Sequence, residues 1–182
     1  QTDVIDKSAF WQGMNSLFDI HFPDSLSSMP EMASKLRSSG NLVVPEVVAA
    51  QSSAFVLTRT LAGQDFTARE VSDDMVRQLA THLGQLHFQR SDLWGRFPTP
   101  QLPAKDWPLQ LRNTLRWLGQ QSDLTVPSSM LDYKVNQAAS IWPQKFVPIM
   151  PDLRWDQFRL LPDGQLAVID LDAFVTAPAQ LE

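Results

Sequence analysis

The order of hydrophobic periods along the chain predicts an α+β fold: strands, a helix, strands, helices and strands again. Three observations carry that prediction. After Ser72, apolar residues recur at helical spacing over four turns. Around residues 43–60 and 146–170 lie short runs of β-branched and aromatic residues broken by turn residues. Between these regions, residues 93–108 contain four prolines (98, 100, 103 and 108) and read as an irregular crossing segment. A chain of 182 residues can bury a full core, and 43% apolar with 19% charged residues excludes disorder, collagen-like repeats and coiled coils.

In chain order, Gln12-Gly13-Met14-Asn15 reads as a turn and Leu17–Phe22 as a strand. Ser28-Met29-Pro30-Glu31 is a capping box, followed by Met29, Met32 and Leu36 on one helical face and by Gly40 after the C-cap. Residues 43–50 and 54–60 read as two strands around Gln51-Ser52-Ser53, with 61–66 as a connector. Ser72 caps a helix with Met75, Val76, Leu79, Leu83 and Leu86 inward, ending near Gln89. Helices are also expected over 106–121, with Leu111, Leu115 and Leu118 inward, and over 128–142, stopped by Pro143. Strands over 146–150, 158–161 and 165–170 follow, the last two joined by the turn Pro162-Asp163-Gly164. The periodicity suggests two unequal lobes, 1–62 and 63–182.

Composition narrows the chemistry. A net charge of −5 gives no general attraction to nucleic acid or anionic lipid. The absence of cysteine excludes a disulfide scaffold, a thiolate nucleophile and a Cys-based zinc site. With 13 prolines to seven glycines, the usual order (about 7% Gly to 5% Pro) is reversed, and glycine-rich phosphate loops have little material. No window reaches the ~18 consecutive apolar residues of a membrane span, and Gln1–Lys7 resembles neither a signal nor a transit peptide. A cytoplasmic protein is the expectation. The first residue is not Met, which points to a trimmed or incomplete chain, while Leu181-Glu182 reads equally as native sequence or as an appended tail.

Asp152, Asp170 and Asp172 lie beside expected strand ends. Strand alternation points Asp170 and Asp172 to one face, opposite Leu171, and the hairpin brings the flanking strands together. Carboxylates converging there suit a hard divalent cation such as Mg²⁺, and a further carboxylate could orient an attacking hydroxyl. The same residues serve equally as turn aspartates capping backbone N–H groups. Spacing leaves both open.

These segments resemble, in order and spacing, the aminoglycoside phosphotransferase, choline kinase and thiamine kinase group, whose fold is protein-kinase-like. The group's His-Gly-Asp-(x)4-Asn loop and its Ile-Asp hairpin end are similar to Met150-Pro151-Asp152-Leu153-Arg154-Trp155-Asp156-Gln157 and Val168-Ile169-Asp170-Leu171-Asp172. Val44-Pro45-Glu46-Val47, Leu61-Ala62-Gly63 and Leu79–His87 resemble further segments of that group. The resemblance implies a small strand-rich N-lobe, a mainly helical C-lobe, ATP and Mg²⁺ as cofactors, and a small-molecule hydroxyl as acceptor. It implies Asp152 as catalytic residue; Arg154, by its place in the same loop, is a candidate cation for transferred phosphate. Gln157 and Asp170 become metal ligands, and Asp172, on the same expected face as Asp170, is the further candidate. Gly13 and Asn15 become the remnant of a nucleotide loop, Thr60 and Ala62 the adenine contact, and Glu31 the helix acid that pairs with a strand lysine.

The chain departs from that pattern at several places. No lysine stands on a strand before Glu31 at a suitable distance, since Lys7 precedes the loop and His21 or Phe22 holds the strand position. Met150-Pro151 replaces His-Gly, and Gln157 carries its amide one methylene further out than Asn. The sequence stops where relatives continue into acceptor-binding helices. The two activity readings are therefore a small-molecule kinase and a pseudokinase, a kinase-shaped binding module; a nucleotide-free structural domain is the third. Elsewhere, His87 reads as a hydrogen-bonded structural histidine near the catalytic loop and His82 as solvent-exposed. Trp155 reads as a wall of the acceptor site or as packing for the loop, and Arg154 as the partner of Asp156 or Asp172. Ser-His-Asp hydrolase, Walker A and Rossmann signatures are absent.

Overall fold

A computed structural model describes residues 8–22, 24–121, 127–141, 145–172 and 174–182. Lys7 and Pro143 lie outside the described residues. Where a turn and a strand were expected there is a helix, α1 (Ala9–Phe18). Ser8 caps it, its Oγ accepting from the Trp11 N–H at 3.4 Å. Met14, Leu17 and Phe18 then recur at helical spacing and are buried. The helix ends at Asp19 in the left-handed conformation (φ 54°). Trp11 stacks on Phe22 at 4.6 Å, so the returning chain lies against the helix instead of continuing as a strand.

A 3₁₀ turn, Asp24–Ser28, leads into α2 (Met29–Ser39), which buries Met29, Met32, Ala33 and Leu36 as expected. The capping box does not form. Ser28 Oγ donates to the Ser25 carbonyl (2.7 Å), because the preceding 3₁₀ turn already satisfies that end of the helix. Strands β1 (Val47–Gln51) and β2 (Phe55–Thr58) make an antiparallel hairpin with an irregularity between Val47 and Ala49. The first strand is shorter than expected because Pro45 has no N–H to pair.

Helix α3 (Asp73–His87) begins at Ser72 as predicted, with Ser72 Oγ accepting from the Met75 N–H. Its buried face differs from the expected one: Val76 is half exposed, while His82 is 1% exposed. The crossing segment is not wholly irregular, since β3 (Leu93–Arg96) and β4 (Leu102–Pro103) pair within it. Helices α4 (Trp107–Gln121) and α5 (Ser128–Ile141) follow. Of the residues expected inward on α4, Leu111 is buried but Leu115 faces solvent. Strands β5 (Val147–Ile149), β6 (Phe158–Leu160) and β7 (Leu166–Val168) occupy the expected regions, and a further strand, β8 (Val175–Ala177), follows them.

The order β4-β3-β8-β5 makes one antiparallel sheet, and β6-β7 a separate hairpin turned by Gly164 at φ 82°. Bridges from Val43 to Ala167 and from Gln64 to Leu160 stitch earlier chain to that hairpin. Two hydrophobic clusters result. One is mainly aliphatic and joins α2, α3, Met150, Phe158 and the β7 strand, so it takes residues from both sides of position 62. The other is rich in aromatic rings and joins α1, Trp94, Trp107, Phe146 and strands β5 and β8. No helix among the described residues is long and apolar enough to cross a membrane.

Candidate functional site

The loop between β5 and β6 holds its acids by local bonds. Gln157, 3% exposed, turns its Oε1 to accept from the Arg154 N–H (3.3 Å) and donates through Nε2 to Asp152 Oδ2 (3.1 Å). The Gln157 carbonyl accepts from the Ile169 N–H (2.9 Å), which fixes the loop to the chain leading into Asp170. Gln157 is thus the clamp of the loop. The amide predicted as a metal ligand is engaged inside it, because its extra methylene lets it reach back over one turn. Arg154 Nε stands 3.3 Å from Asp152 and 3.5 Å from Asp156, bracing the catalytic candidate from the solvent side. Trp155 packs between Phe66 (6.1 Å) and Phe158 (5.9 Å), holding the loop down on the aliphatic cluster.

Asp170 and Asp172 flank buried Leu171, but β7 ends at Val168 and Asp172 lies in a turn, so the strand alternation expected for them does not extend this far and the local turn places them instead. Their side chains share a hydrogen bond, and Asp172 keeps its proton up to about pH 8. Burial is the largest cause, followed by the hydrogen bond to Asp170, the Asp170 charge and, more weakly, the Asp152 charge. The three carboxylates therefore feel one another. Among the described residues no group of three or more His, Cys, Asp or Glu side chains is placed to hold a metal ion unaided. A pair of carboxylates sharing one proton is nonetheless a fit for Mg²⁺, which commonly uses one or two carboxylates and completes its shell with water and phosphate oxygens. Asp172 also borders a cavity of about 10 Å³ with Ile20, Phe22, Met29, Met32 and Phe174, room for about one water.

The residues expected at the nucleotide end are not gathered there. Gly13 lies inside α1, buried against Trp117 and Leu118 of α4. Asn15 closes the turn after α1, donating to the Phe22 carbonyl (2.8 Å) and accepting from the Phe22 N–H (2.9 Å). Neither belongs to a loop that could wrap a phosphate, because helical backbone uses its own N–H groups. Glu31 is exposed on α2 and makes no ion pair among the described residues. Thr60 and Ala62 are exposed in a connector that is tied to β6 at Gln64 and by Arg159 to Asp65 (2.8 Å). Gly63 permits that approach, since a Cβ there would meet the Leu160 carbonyl at 2.7 Å.

Two histidine arrangements bear on the loop and its surroundings. His82 Nδ1 accepts from the Leu42 N–H (3.4 Å), and burial lowers its pKa to about 4. The expectation of exposure fails because the α2–β1 connection folds over that side of α3. His87 Nε2 lies 2.8 Å from Glu182, whose other oxygen accepts from the Met150 N–H (3.0 Å). The contact supports the start of the acidic loop, in keeping with the structural role expected for His87. Glu182 was invisible to sequence reasoning, because nothing local links it to Met150.

No family model matches the chain, and no curated protein matches it. Its fold is similar to the crystal structure of the "Putative fructosamine-3-kinase" from Haemophilus somnus 129PT, with a TM-score of 0.63 and 15% identity over 86% of this chain. The chain spans 57% of that protein's length. The fold is therefore kinase-like.

Proposed function

We propose that this chain is the kinase-fold part of a small-molecule phosphotransferase, acting on a hydroxyl acceptor with ATP as donor. The observation that carries the reading is the hydrogen-bonded pair Asp170–Asp172, tied through the Ile169 N–H to the loop in which Gln157 holds Asp152. Asp170 and Asp172 would hold Mg²⁺ in place of their shared proton. The ion would neutralise charge on the transferring phosphate. Asp152, half-buried and held by Gln157 and Arg154, would orient the acceptor hydroxyl and receive its proton. Arg154 would leave Asp152 for the phosphate as charge develops. The aminoglycoside, choline and thiamine kinase branches supply the acceptor classes to test first.

A second reading is a kinase-shaped binding module without transfer. It is favoured by one observation: Gly13 and Asn15 are committed to helix packing and turn closure. Thermal shift with ATP, with and without Mg²⁺, separates the two. A Mg²⁺-dependent stabilisation that disappears in Asp170→Ala supports the first reading. Absence of any nucleotide response sinks it and leaves the second reading or a nucleotide-free structural domain.

A further inference from the structure

We infer that the outer face of α2 and the chain around residues 89–98 form a binding site for a small dianion, a phosphomonoester or dicarboxylate on a short carbon body. Two neighbouring cavities of about 230 and 410 Å³ share Lys35 and Pro98 as a common wall. The smaller is lined by Lys35 and Arg90 and by no acidic residue. Its floor is apolar and rigid: Phe97 is buried, and Pro148 pairs with Thr176 across the β5–β8 ladder. Among the described residues neither Lys35 nor Arg90 makes an ion pair, so both charges remain for a ligand.

Lys35 and Arg90 stand exposed at the open rim of the hollow, so each charge is partly screened by water and recognition depends on both meeting one dianion. Arg90 offers a planar fork that matches carboxylate or phosphate oxygens, and Lys35 a compact second charge. The larger cavity adds Ser34 and Ser38, whose hydroxyls suit a hydroxylated carbon body, and Glu31, one helical turn from Lys35, which disfavours a third negative charge. Residues 31, 34, 35 and 38 follow helical spacing and form the exposed face of α2. Met29 and Met32 on its other side face Asp172. The site is therefore separate from the acidic loop, and its test is independent of phosphotransfer.

Titration of ¹⁵N-labelled protein with glycerol 3-phosphate, with succinate and with neutral glycerol decides the matter. We expect saturable amide shifts confined to residues around Lys35, Arg90 and Ser91 with at least one dianion and not with glycerol. Lys35→Gln and Arg90→Gln, both at exposed positions, should each weaken binding about tenfold or more. Binding of glycerol 3-phosphate alone identifies a phosphomonoester site, and binding of succinate alone a dicarboxylate site. Saturation by neither dianion, equal shifts with glycerol, or unchanged affinity in both variants overturns the inference.

Discussion

The two hydrophobic clusters differ in chemistry and in what they support. The aliphatic one is built from Met29, Met32, Leu36, Met75, Leu79 and Leu86 with the β6–β7 hairpin, and it supports the loop that carries the acids. The aromatic one is built from Phe18, Trp94 and Trp107, with Trp94 and Trp107 edge-on at 4.8 Å, and it holds α1 against the four-stranded sheet. Asp172 lies where they meet, beside Ile20 and Phe22 of the aromatic side and Met29 and Met32 of the aliphatic side. Adaptable aliphatic and methionine packing surrounds polar machinery, whereas oriented rings fix a helix in one pose. Altering the aromatic cluster should therefore cost the most overall stability, and altering the aliphatic one should cost less and also reach the carboxylates.

The sharpest way to break this division is Trp94→Ala. The ring is fully buried and its Nε1 donates to the Pro103 carbonyl (3.0 Å), so truncation leaves both a cavity and an orphaned acceptor. Urea unfolding should show a loss of about 3–5 kcal/mol. An unchanged midpoint would mean that the aromatic cluster does not hold the fold.

On the aliphatic side, Gly40→Ala probes a contact with no slack. A Cβ there would come 1.9 Å from His82 Nδ1, and the buried ring cannot swing away without losing the Leu42 N–H. The expected loss is about 1–3 kcal/mol, shrinking when His82→Ala is combined with it. Simple additivity of the two substitutions would show that they do not meet.

Asp172→Asn is the smallest in magnitude and the most specific to the meeting point. The folded state holds the Asp172 proton to about pH 8, while an unfolded aspartate releases it near 3.8. Stability from this group is therefore fullest below the lower value and is lost as pH rises through the upper one. The substituted amide cannot ionise, so the variant should melt higher than the parent by about 3 °C or more at pH 8.5, with the gain fading toward pH 4. A pH-independent difference would place the carboxylates apart.

How much of this was legible follows from where each constraint lies. The β6–β7 hairpin was readable because Asp163-Gly164 sets a turn and the flanking residues alternate. The start of α3 was readable because Ser72 caps it in place. The approach of Asp170 to Asp172 was expected from strand alternation, yet the strand stops at Val168, and it is the turn after it that brings the two carboxylates together. The reading failed at residues 12–22, where a Gly and an Asn look like a turn but the spacing of Met14, Leu17 and Phe18 also satisfies a helix. The aromatic surface offered by Trp94 and Trp107 settled that choice. His82, by contrast, stands at regular helical spacing with buried Met75, Leu79 and Leu86, so its burial follows from its position, and the chain at residues 40–42 covers it and supplies the Leu42 N–H that its polar ring needs.

By itself the sequence determined the α+β class, the acidic loop and its hairpin, and the lack of glycine-rich phosphate loops, since each depends on neighbours within a few residues. Only the tertiary structure decided that Gln157 closes the loop onto Asp152, that Glu182 and His87 support Met150, and that Gly13 and Asn15 serve a helix. Those outcomes depend on which distant surfaces meet, and burial free energy, which no local spacing encodes, selects among conformations that the local sequence leaves nearly equal.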